Sequence, residues 1–342
     1  MVGGGTPDTT VPSLWNGDIQ WFTPTEVGRQ KYVSKSARTI TQLGLQKSSA
    51  KKLPAGSILL SSRATIGECS IAQRECTTNQ GFQNLIPKND TNNEFLYYLA
   101  QTKKHHFIKY ASGSTFLEIS NSEIRKTKCT VPGTEEQTQI AAFLSALDDR
   151  ISVQNKIISK YETLIKGLCD MIFRHNKSVS LSDLVKCKTS ALQENTVSTC
   201  HRGEYKVLGA SGAIAAIDTY QFEESGILVL KDGSKAGKIQ FAQGKYSVVG
   251  TSVVLIPNEA CDARYLYFAM SSIDFEKYKV GSGIPHIYFK DYSNERIYYP
   301  DKALRKKITK TLDFYESMVE IERKMLSAMQ KQKAFLLQSM FI

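Results

Sequence analysis

The segment EEQTQIAAFLSALDDRI, residues 135–151, lies near the middle of the 342-residue chain and has the pattern of a long amphipathic helix. Thr134 is a predicted helix start, with two glutamates in the first turn and Gln137 at the third position of a capping box. Beyond this start, apolar residues recur at alternating steps of four and three, the heptad spacing of a helix that packs along a partner helix. The predicted seam comprises Ile140, Leu144, Leu147, Ile151, Ile158, Ile165 and Leu168.

A second seam of the same kind follows 168 residues later. Its apolar members are Ile308, Leu312, Val319, Leu326 and Leu336. A polar residue interrupts both seams at the same point, Gln154 in the first and Glu322 in the second. Two helices that match in length and in interruption, separated by a long domain, are suited to antiparallel pairing. Two helices of an ordinary globular core would give the same pattern and are the alternative.

The rest of the chain is also duplicated, at an offset of 168 to 170 residues. Pro132 recurs as Pro300, and Gly67 recurs as Gly237. Each copy is a strand-rich unit of about 130 residues followed by one of the long helices. The duplication predicts that the two strand-rich units share one fold.

Short apolar runs bounded by Gly, Asn, Asp and Ser predict strands within each unit. Examples are 57–61, Cys69–Ala72, Gly226–Leu230 and 247–256, with short helices predicted at 94–104 and 264–270. The predicted fold is α+β, with two similar strand-rich domains joined by two long helices that pair as an antiparallel coiled coil. The predicted boundaries are 1–133 and 178–300 for the domains, and 134–177 and 301–342 for the helices.

No apolar run approaches the roughly 20 residues that a membrane helix requires. The N-terminus lacks the basic and then apolar profile of a signal peptide, and the seven cysteines show no framework spacing. These features predict a protein of the reducing cytoplasm without a membrane partner.

The net charge of +11 predicts an acidic partner, and nucleic acid is the obvious one. Residues 1–133 carry 16 basic and 9 acidic side chains, whereas residues 178–300 carry 13 of each. Because the second domain is neutral, charge alone does not support nucleic-acid binding by both halves. A solvated basic surface is the alternative explanation of the excess.

Patterns typical of catalysis are incomplete. The stretch GSKAGKI, 233–239, is one residue short of a phosphate-binding loop and has Ile where a Mg²⁺-binding hydroxyl belongs. The Glu-x-Lys pairs at 204–206 and 322–324 lack an obvious acidic partner, and the five histidines show no metal-ligand spacing. We therefore expect no catalytic residues, no metal and no cofactor, and interpret the chain as a binding protein.

Sequence blocks spread over almost the whole chain carry a family resemblance. In the first half they are GGGTPDTTVPSLWNGDIQWFTP from Gly3, LPAGSILLSSRATIGECSI from Leu53, TNQGFQNLIP from Thr78, SGSTFLEISNSEIRKTKCTVP from Ser112, and the helical segment 135–151. In the second half they are LKDGSKAGKIQF from Leu230, GTSVVLIP from Gly250 and GSGIPHI from Gly281. Together they resemble the DNA-specificity subunit of type I restriction-modification enzymes.

The resemblance implies a non-catalytic subunit with two target-recognition domains, each reading one half of a bipartite site in double-stranded DNA. It also implies paired helices that act as a spacer and dock DNA methyltransferase subunits, two in number, which motor-nuclease subunits join for restriction. A helix over 138–173 would rise roughly 54 Å. Because duplex DNA advances about 3.4 Å per base pair, such a helix would separate half-sites by on the order of 15 base pairs.

Two features depart from the family pattern. A strand-like lead-in, SLSDLVKCKTS from Ser180, precedes the second domain, but the Gly-rich block follows almost directly on Met1. From this we expect a first domain without that edge element, through a misassigned start or a truncated or recombined gene. The second helix begins Leu304-Arg-Lys-Lys in place of Glu-Glu-Gln, so its contact with a partner is expected to differ.

DNA contacts need cations for phosphates, and Arg, Lys, Asn or Gln for base edges. In the first domain the candidates are Arg29, Lys31, Lys35, Arg38, Gln42, Lys47, Lys51, Lys52 and Arg63. In the second domain they are His201, Arg202, Lys206, Lys231, Lys235, Lys238 and His286. Helix residues expected to face a partner subunit are Asp148, Arg150, Lys156, Glu162 and Lys166. For each residue, ordinary solvation is the alternative.

Two other functions stay open at this point. Paired helices could serve as a scaffold that presents two RNA-binding or protein-binding domains, which predicts no sequence-specific duplex binding. The chain could also carry its own nuclease or methyltransferase activity, against which the incomplete motifs argue.

Overall fold

In the computed structural model the described residues are 1–113, 117–174, 178–197, 202–258 and 261–341. They form two compact units, Met1–Asn155 with Met325–Ile342, and Lys156–Lys324. We call these the first unit and the second unit. Each contains one strand-rich domain and part of each long helix, so the compact units divide the chain within the helices and not at their ends.

The domain of the first unit combines short strands with short helices. The strands are β1 (Val2–Gly3), β2 (Trp15–Phe22), β3 (Tyr32–Val33), β4 (Arg38–Ile40), β5 (Ile58–Leu60), β6 (Cys69–Ala72), β7 (Thr77–Thr78) and β8 (Gln83–Asn84). The helices are α1 (Gln42–Gln46), α2 (Asn93–Thr102), α3 (Lys104–Lys109) and α4 (Asn121–Lys126), with 3₁₀ turns at Pro12–Leu14 and Pro24–Glu26. The long helix α5 (Thr134–Phe173) follows.

Strand pairing in the first unit gives one sheet with the order β4-β2-β7 and another with the order β3-β6-β5. Strand β8 pairs with β1, and a bridge between Ile58 and Leu85 joins it to β5. Strands β5 and β6 are buried throughout, including Ser70, and β6 occupies the predicted Cys69–Ala72. Their side chains pack against α2 and against the first turns of α5.

The domain of the second unit has the same plan. Its strands are β9 (Val179–Ser180), β10 (Val185–Thr189), β11 (Tyr205–Gly209), β12 (Gly212–Ile217), β13 (Gly226–Leu230), β14 (Ile239–Ala242), β15 (Tyr246–Val248), β16 (Ser252–Pro257) and β17 (Arg296–Ile297). Its helices are α6 (Leu181–Leu184), α7 (Glu194–Val197), α8 (Ala263–Met270) and α9 (Phe289–Tyr292), with a 3₁₀ turn at Phe275–Tyr278, and the long helix α10 (Lys302–Met340) follows.

Strand pairing in the second unit repeats that of the first. Strands β13 and β14 form an antiparallel hairpin as β5 and β6 do, and the parallel pair β11–β15 corresponds to β2–β7. In those parallel pairs Val207 lies opposite Ser247 as Trp21 lies opposite Thr77. The predicted internal repeat and α+β fold are therefore confirmed.

The two units differ in the strand that pairs with β16 in the second unit and with β8, its counterpart, in the first. The five residues of β10 pair with β16 in the second unit, and the two residues of β1 pair with β8 at the same place in the first. The lead-in that the sequence suggested for the second domain thus forms β9, α6 and β10. Val2 and Gly3 occupy part of the equivalent edge in the first unit.

Two local predictions were wrong. The run 247–256 is not one strand, because a turn at Val249 and Gly250 divides it into β15 and β16, which belong to different sheets. The side chain of Gln137 does not close a capping box. Its amide donates to the carbonyl oxygens of Pro132 and Asp90, at 2.9 and 3.2 Å, and accepts from the backbone N–H of Asn92, so it joins the helix start to the loop before α2.

Each unit contains a stretch of both long helices, in antiparallel order. In the first unit the beginning of α5 packs with the end of α10, and Ile140 and Leu144 share a core with Leu336 and Phe341. In the second unit the end of α5 lies with the beginning of α10, where Phe173 and Leu312 share a core. The predicted antiparallel pairing is therefore present within each unit.

The predicted seam is buried to different degrees. Fully buried are Ile140, Leu144, Leu147, Ile158, Ile308, Leu312 and Val319, and half-buried are Ile151, Ile165, Leu168, Leu326 and Leu336. The seam residues near the helix ends also pack against the strand-rich domain of their unit, in addition to the other helix. The seam therefore has two roles, helix pairing and attachment of the domain.

Two of the helix residues expected to face outward instead form ion pairs with the other helix. Asp148 pairs with Lys333 at 2.6 Å in the first unit, and Glu162 pairs with Arg323 at 2.5 Å in the second. Asp148 also accepts a hydrogen bond from the Tyr98 hydroxyl at 2.7 Å. Arg150, Lys156 and Lys166 are exposed.

Polar contacts fix each domain to its long helix, and we call them the first and second latch. In the first latch, Glu94 of α2 accepts hydrogen bonds from Ser145 of α5 and from Tyr32, and Lys31 lies 3.0 Å away. In the second latch, Arg264 of α8 pairs with Asp313 of α10 at 2.5 Å and also with Glu316. Glu94 and Arg264 occupy equivalent positions, so this position is an anion in the first latch, where Lys31 accompanies it, and a cation in the second.

The contacts in the latches also shift the pKa values of Glu94 and Arg264. Burial alone would raise the pKa of Glu94, but the hydrogen bonds from Ser145, Tyr32 and Lys31, together with the charge of Lys31, lower it. Burial opposes the charged form of Arg264 as well, yet the hydrogen bonds and charges of Asp313 and Glu316 raise its pKa. Glu94 and Arg264 are therefore both charged at neutral pH and contact their partners in the charged form.

Candidate nucleic-acid interface

In the first unit a turn, Ser61 to Gly67, connects β5 to β6. The N–H of Gly67 donates to the Ser61 carbonyl at 2.9 Å, which closes the turn. A second segment lies against it, because the N–H of Ile119 donates to the Ser62 carbonyl at 3.0 Å. In that segment Ser112 and Glu118 exchange two backbone hydrogen bonds. We call residues 61–67 with the described residues of 112–119 the first platform.

The second unit builds a similar turn between β13 and β14, which is one residue longer. The N–H of Gly237 donates to the Leu230 carbonyl at 2.8 Å, and the N–H of Ile287 donates to the Lys231 carbonyl at 2.9 Å. Val280 and His286 exchange two backbone hydrogen bonds, as Ser112 and Glu118 do. We call residues 231–237 with 280–287 the second platform.

One side-chain pair crosses each platform, and its acidic member lies on opposite sides in the two units. In the first platform Arg63 of the turn donates from Nε to Glu118 at 3.0 Å. In the second platform the acidic residue is in the turn, and Asp232 lies 2.8 Å from Nδ1 of His286. Because all four side chains are about one-third to two-fifths exposed, a ligand that approaches the platform meets both members of each pair.

The turn itself requires glycine at one matched position. Gly67 and Gly237 adopt φ angles of 84° and 90°, in the left-handed region that side chains disfavour. A Cβ at these positions would lie 2.7 Å from Cγ of Lys104 and 2.5 Å from Cβ of Phe275. These glycines therefore fix the path of both turns, whatever side chains the turns carry.

The predicted contact residues of the first domain fall into three groups. Arg29, Lys35, Gln42, Lys47 and Lys51 are exposed, and the structure records no ion pair for them among the described residues. Lys52 is exposed but pairs with Glu75 at 2.8 Å, and Arg63 pairs with Glu118. Lys31 is turned inward. Its side chain is 13% exposed, and its ammonium group contacts Glu94, Tyr98 and Ser145. We therefore assign Lys31 to the first latch.

Arg38, also predicted, is exposed at the start of β4 and lies on tryptophan rings. Its guanidinium carbon is 3.6 Å from the ring centre of Trp15 and 5.6 Å from that of Trp21. Such distances are within the range of cation–π attraction.

The predicted contact residues of the second domain have several different environments. Arg202, Lys206 and Lys235 are exposed, whereas Lys231 lies 4.0 Å from Asp232, and Lys238 donates to the Ala210 carbonyl at 3.5 Å. His286 belongs to the pair with Asp232. His201 lies outside the described residues.

One cation was missed by the sequence reasoning. Lys245 precedes β15 and lies 4.7 Å from the ring centre of Tyr220 and 5.8 Å from that of Tyr205. The three residues come from separate parts of the sequence, so their meeting could not be predicted from spacing. The available signal was the pair of tyrosines near the already selected Lys206 and the apolar run that follows Lys245.

The stretch that nearly matches a phosphate-binding loop lies between two strands. Residues 233–239 lead from strand β13 into strand β14, whereas a phosphate-binding loop needs a helix N-terminus at that point. Among the described residues, no group of three or more His, Cys, Asp or Glu side chains could hold a metal ion. Within the same ranges, no helix has both the length and the apolar character for crossing a bilayer.

Comparison with known proteins gives consistent matches. A family model described as "Type I restriction modification DNA specificity domain" matches residues 2–163 and 174–330. The MjaIX specificity subunit of Methanocaldococcus jannaschii is 41% identical over 167 residues, which are 47% of this chain and 39% of that protein. A type I specificity subunit of Escherichia coli is 28% identical over 153 residues, 43% of this chain and 38% of that protein. The matches thus span about two fifths of the length of these curated relatives.

A solved structure shows the same fold. The S subunit of a type I restriction-modification system from M. genitalium aligns over 99% of this chain and 96% of its own, with a TM-score of 0.61 and 17% identity. At that identity the likeness concerns the fold alone. The family model covers most of the sequence in two copies, each of which takes in one strand-rich domain and most of the long helix that follows it. The chain belongs to the family of type I restriction-modification DNA specificity domains.

Proposed function

We propose that this chain is the non-catalytic, sequence-specific DNA-binding subunit of a cytoplasmic type I restriction-modification complex. It reads a bipartite site in duplex DNA, one half-site per domain. The observation that carries this proposal is the duplicated platform, which presents matching backbone hydrogen bonds with different side chains in a family of DNA specificity domains. Equal platforms with equal side chains would favour two identical half-sites, whereas different side chains favour two different ones.

The contacts divide into two kinds. Exposed lysines and arginines without an internal partner position the duplex through its phosphates, which gives affinity but little sequence information. Within the part of the chain that the structure describes, these are Arg29, Lys35, Lys47, Lys51, Arg202, Lys206 and Lys235. Lys245 is exposed too, but it lies against the rings of Tyr220 and Tyr205. The platform pairs Arg63–Glu118 and Asp232–His286 lie where side chains can reach base edges, since each presents both a donor and an acceptor.

The long helices serve as the spacer between the half-sites. Helix α5 has 40 residues and α10 has 39, and a helix rises about 1.5 Å per residue. Insertion of one heptad in each helix should add about 10 Å, or roughly three base pairs, to the spacer of the recognised site. An unchanged spacer in such a variant would show that helix length does not set it.

The same helices dock the methyltransferase subunits. Apolar side chains are exposed on them in both units: Phe143 and Phe335 in the first, and Leu164, Met171, Phe314 and Ile321 in the second. Phe335 and Met171 are 67% and 68% exposed, although solvent-facing helix positions usually carry polar residues. Exposed apolar clusters mark protein interfaces. Because both units offer such residues, we propose two modification subunits, which motor-nuclease subunits join for restriction.

Mapping of adenine methylation tests the function directly. The chain is expressed with its modification subunit in cells without other methyltransferases, and genomic methylation is compared with that of cells lacking the chain. We expect a bipartite motif that depends on the chain. A soluble complex that methylates no chain-dependent motif would contradict DNA reading and would favour a scaffold for RNA or protein.

A further inference from the structure

Arg38 has an environment unlike that of the other exposed cations of the first domain. Its guanidinium group stacks on Trp15 and also lies close to Trp21. The two indole rings are 5.0 Å apart at an interplanar angle of 88°. One ring thus lies beneath the cation and the other beside it, so the plane of the guanidinium is restrained.

The backbone is distorted where it brings the two tryptophans together. Trp21 lies directly opposite Arg38 in the β2–β4 pair, so their side chains share a face of the sheet. Trp15 is six residues earlier and reaches the same place because the register shifts between Trp15 and Ile19, both of which pair with Ile40. The intervening Asn16 has a φ of 61°. Bulges and positive φ angles cost free energy and persist where the surroundings require them.

The rings are fixed as well as stacked. The indole N–H of Trp15 donates to the Asp8 carbonyl at 3.0 Å, and that of Trp21 donates to the Gly5 carbonyl at 2.8 Å. Both side chains are buried in a small core with Leu14, Ile40 and Ala50. The guanidinium therefore rests on a rigid surface, and little rotamer entropy remains to be lost when it binds a ligand.

The donors of Arg38 are unoccupied. Within the described ranges the structure records no hydrogen bond or ion pair for its guanidinium, although Arg63 pairs with Glu118 and Arg264 with Asp313 and Glu316. A guanidinium carries five N–H donors in a fixed fork. Stacking uses its faces and leaves the edge with these donors free for a planar acceptor.

We infer that Arg38 is a specificity-determining residue that reads a guanine in the half-site of the first domain, an inference that rests on the function proposed above. The major-groove edge of guanine offers O6 and N7 as two coplanar acceptors, which match a guanidinium fork. A phosphate would also accept from the fork, but it does not need a restrained plane. The flexible lysines nearby already suit that purpose.

The test uses the full chain in complex with its modification subunits. Arg38→Lys keeps the charge and removes the fork, and Arg38→Met keeps apolar cover over the tryptophans. Lys35→Met is the matched control, because Lys35 is exposed on the same segment and is not stacked. We measure the methylated motif of each variant and its binding to duplexes that carry one altered base pair, over a range of salt concentrations.

We expect both Arg38 variants to lose discrimination at one guanine of one half-site, by roughly 10- to 100-fold, with the other half-site unchanged. Lys35→Met should weaken binding to all sequences alike. The conservative variant Trp15→Phe, which keeps a ring beneath the guanidinium, should lose less discrimination than Arg38→Lys.

Three results would overturn the inference. An unchanged motif with lower thermal stability would make Arg38 a structural cover for the tryptophans. Uniform weakening, with a salt dependence reduced by about one phosphate contact, would make it a backbone contact. Loss of discrimination at both half-sites would contradict reading by one domain. If the unmodified chain directs no methylation, the proposed function itself fails, and the inference about Arg38 fails with it.

Discussion

The first and second platforms have matching backbone hydrogen bonds, but the acidic residue lies on opposite sides of the two platforms. Their turns close through equivalent hydrogen bonds and need glycine at the same position, but Arg63 faces Glu118 in one, whereas Asp232 faces His286 in the other. The latches differ in the same way, with Glu94 on one domain and Arg264 on the other. Backbone pairing and burial fix the repeated fold, and they leave the exposed or paired polar residues free to differ. One fold can therefore present two different reading surfaces.

The largest effects should be equal in the two units, because they concern the shared core. Leu144 and Leu312 occupy equivalent helix positions and are both 0% exposed. Leu144→Ala and Leu312→Ala should each lower the free energy of unfolding by about 2–5 kcal/mol through the cavity they leave. Denaturant unfolding measures the change in the free energy of unfolding, and hydrogen exchange shows in which unit the stability is lost. The exposed Val153→Ala, at a position 53% exposed, should change stability by less than about 0.5 kcal/mol. A severe loss at only one of the two leucines would break the equivalence.

The first latch should respond to acid. The pKa of Glu94 is lowered in the folded chain, so its contribution is complete above the ordinary value of 4.5 and is lost as the pH falls through the folded-state pKa. Glu94→Gln should therefore cost about 1 kcal/mol at neutral pH, and this cost should shrink as the pH falls through the folded-state pKa, relative to the unmodified chain at the same pH.

The second latch provides the control for the pH dependence of the first. Arg264 remains charged throughout this range, so Arg264→Met should destabilise the chain at neutral pH by about 1–3 kcal/mol, because Asp313 and Glu316 lose their cation. Unfolding free energies across the pH range measure both. A Glu94→Gln penalty that persists in acid would show that the first latch acts by shape and not by charge.

The platform pairs should affect recognition more than stability. Glu118→Gln leaves Arg63 without its counter-ion, and Asp232→Asn replaces the carboxylate beside Nδ1 of His286 with an amide. Exposed pairs contribute about 0–1 kcal/mol to stability, so both variants should fold normally. Each should alter the base preference of one half-site, read from the methylated motif. A change in both half-sites after a single substitution would refute the assignment of one platform to each half-site.

The smallest effect should come from a single phosphate contact. Lys235 is exposed in the turn of the second platform. Lys235→Ala should weaken binding a few-fold without a change of motif, and should reduce the slope of log affinity against log salt by about 0.9. The same substitution at Lys47 of the first unit is the counterpart. An altered motif in either variant would move that lysine to the group that reads bases.

The repeated architecture could be predicted because it depends on local patterns. Cys69–Ala72 and Gly226–Leu230 are strands over the predicted residues, and the heptad seam predicted the antiparallel pairing found in each unit. The sequence could not predict whether a given cation is exposed or paired within the fold, because pairing depends on residues that are distant in sequence. Arg63 meets an acid 55 residues away, and Lys31 meets Ser145 across the interface with α5. In the sequence, Lys31 and Lys35 look alike, yet one belongs to a latch and the other faces solvent.

The opposite charges of the latches limit how the domains can be rearranged by engineering. A chimera that exchanged only the strand-rich domains would bring the Glu94 carboxylate, with Lys31 beside it, to Asp313 and Glu316, and would place Arg264 beside Ser145 in place of its two direct carboxylate partners. Like charges at such short distances repel. Crossover points should therefore lie within the long helices, near the boundaries of the compact units, so that each transplanted domain brings its own stretch of helix.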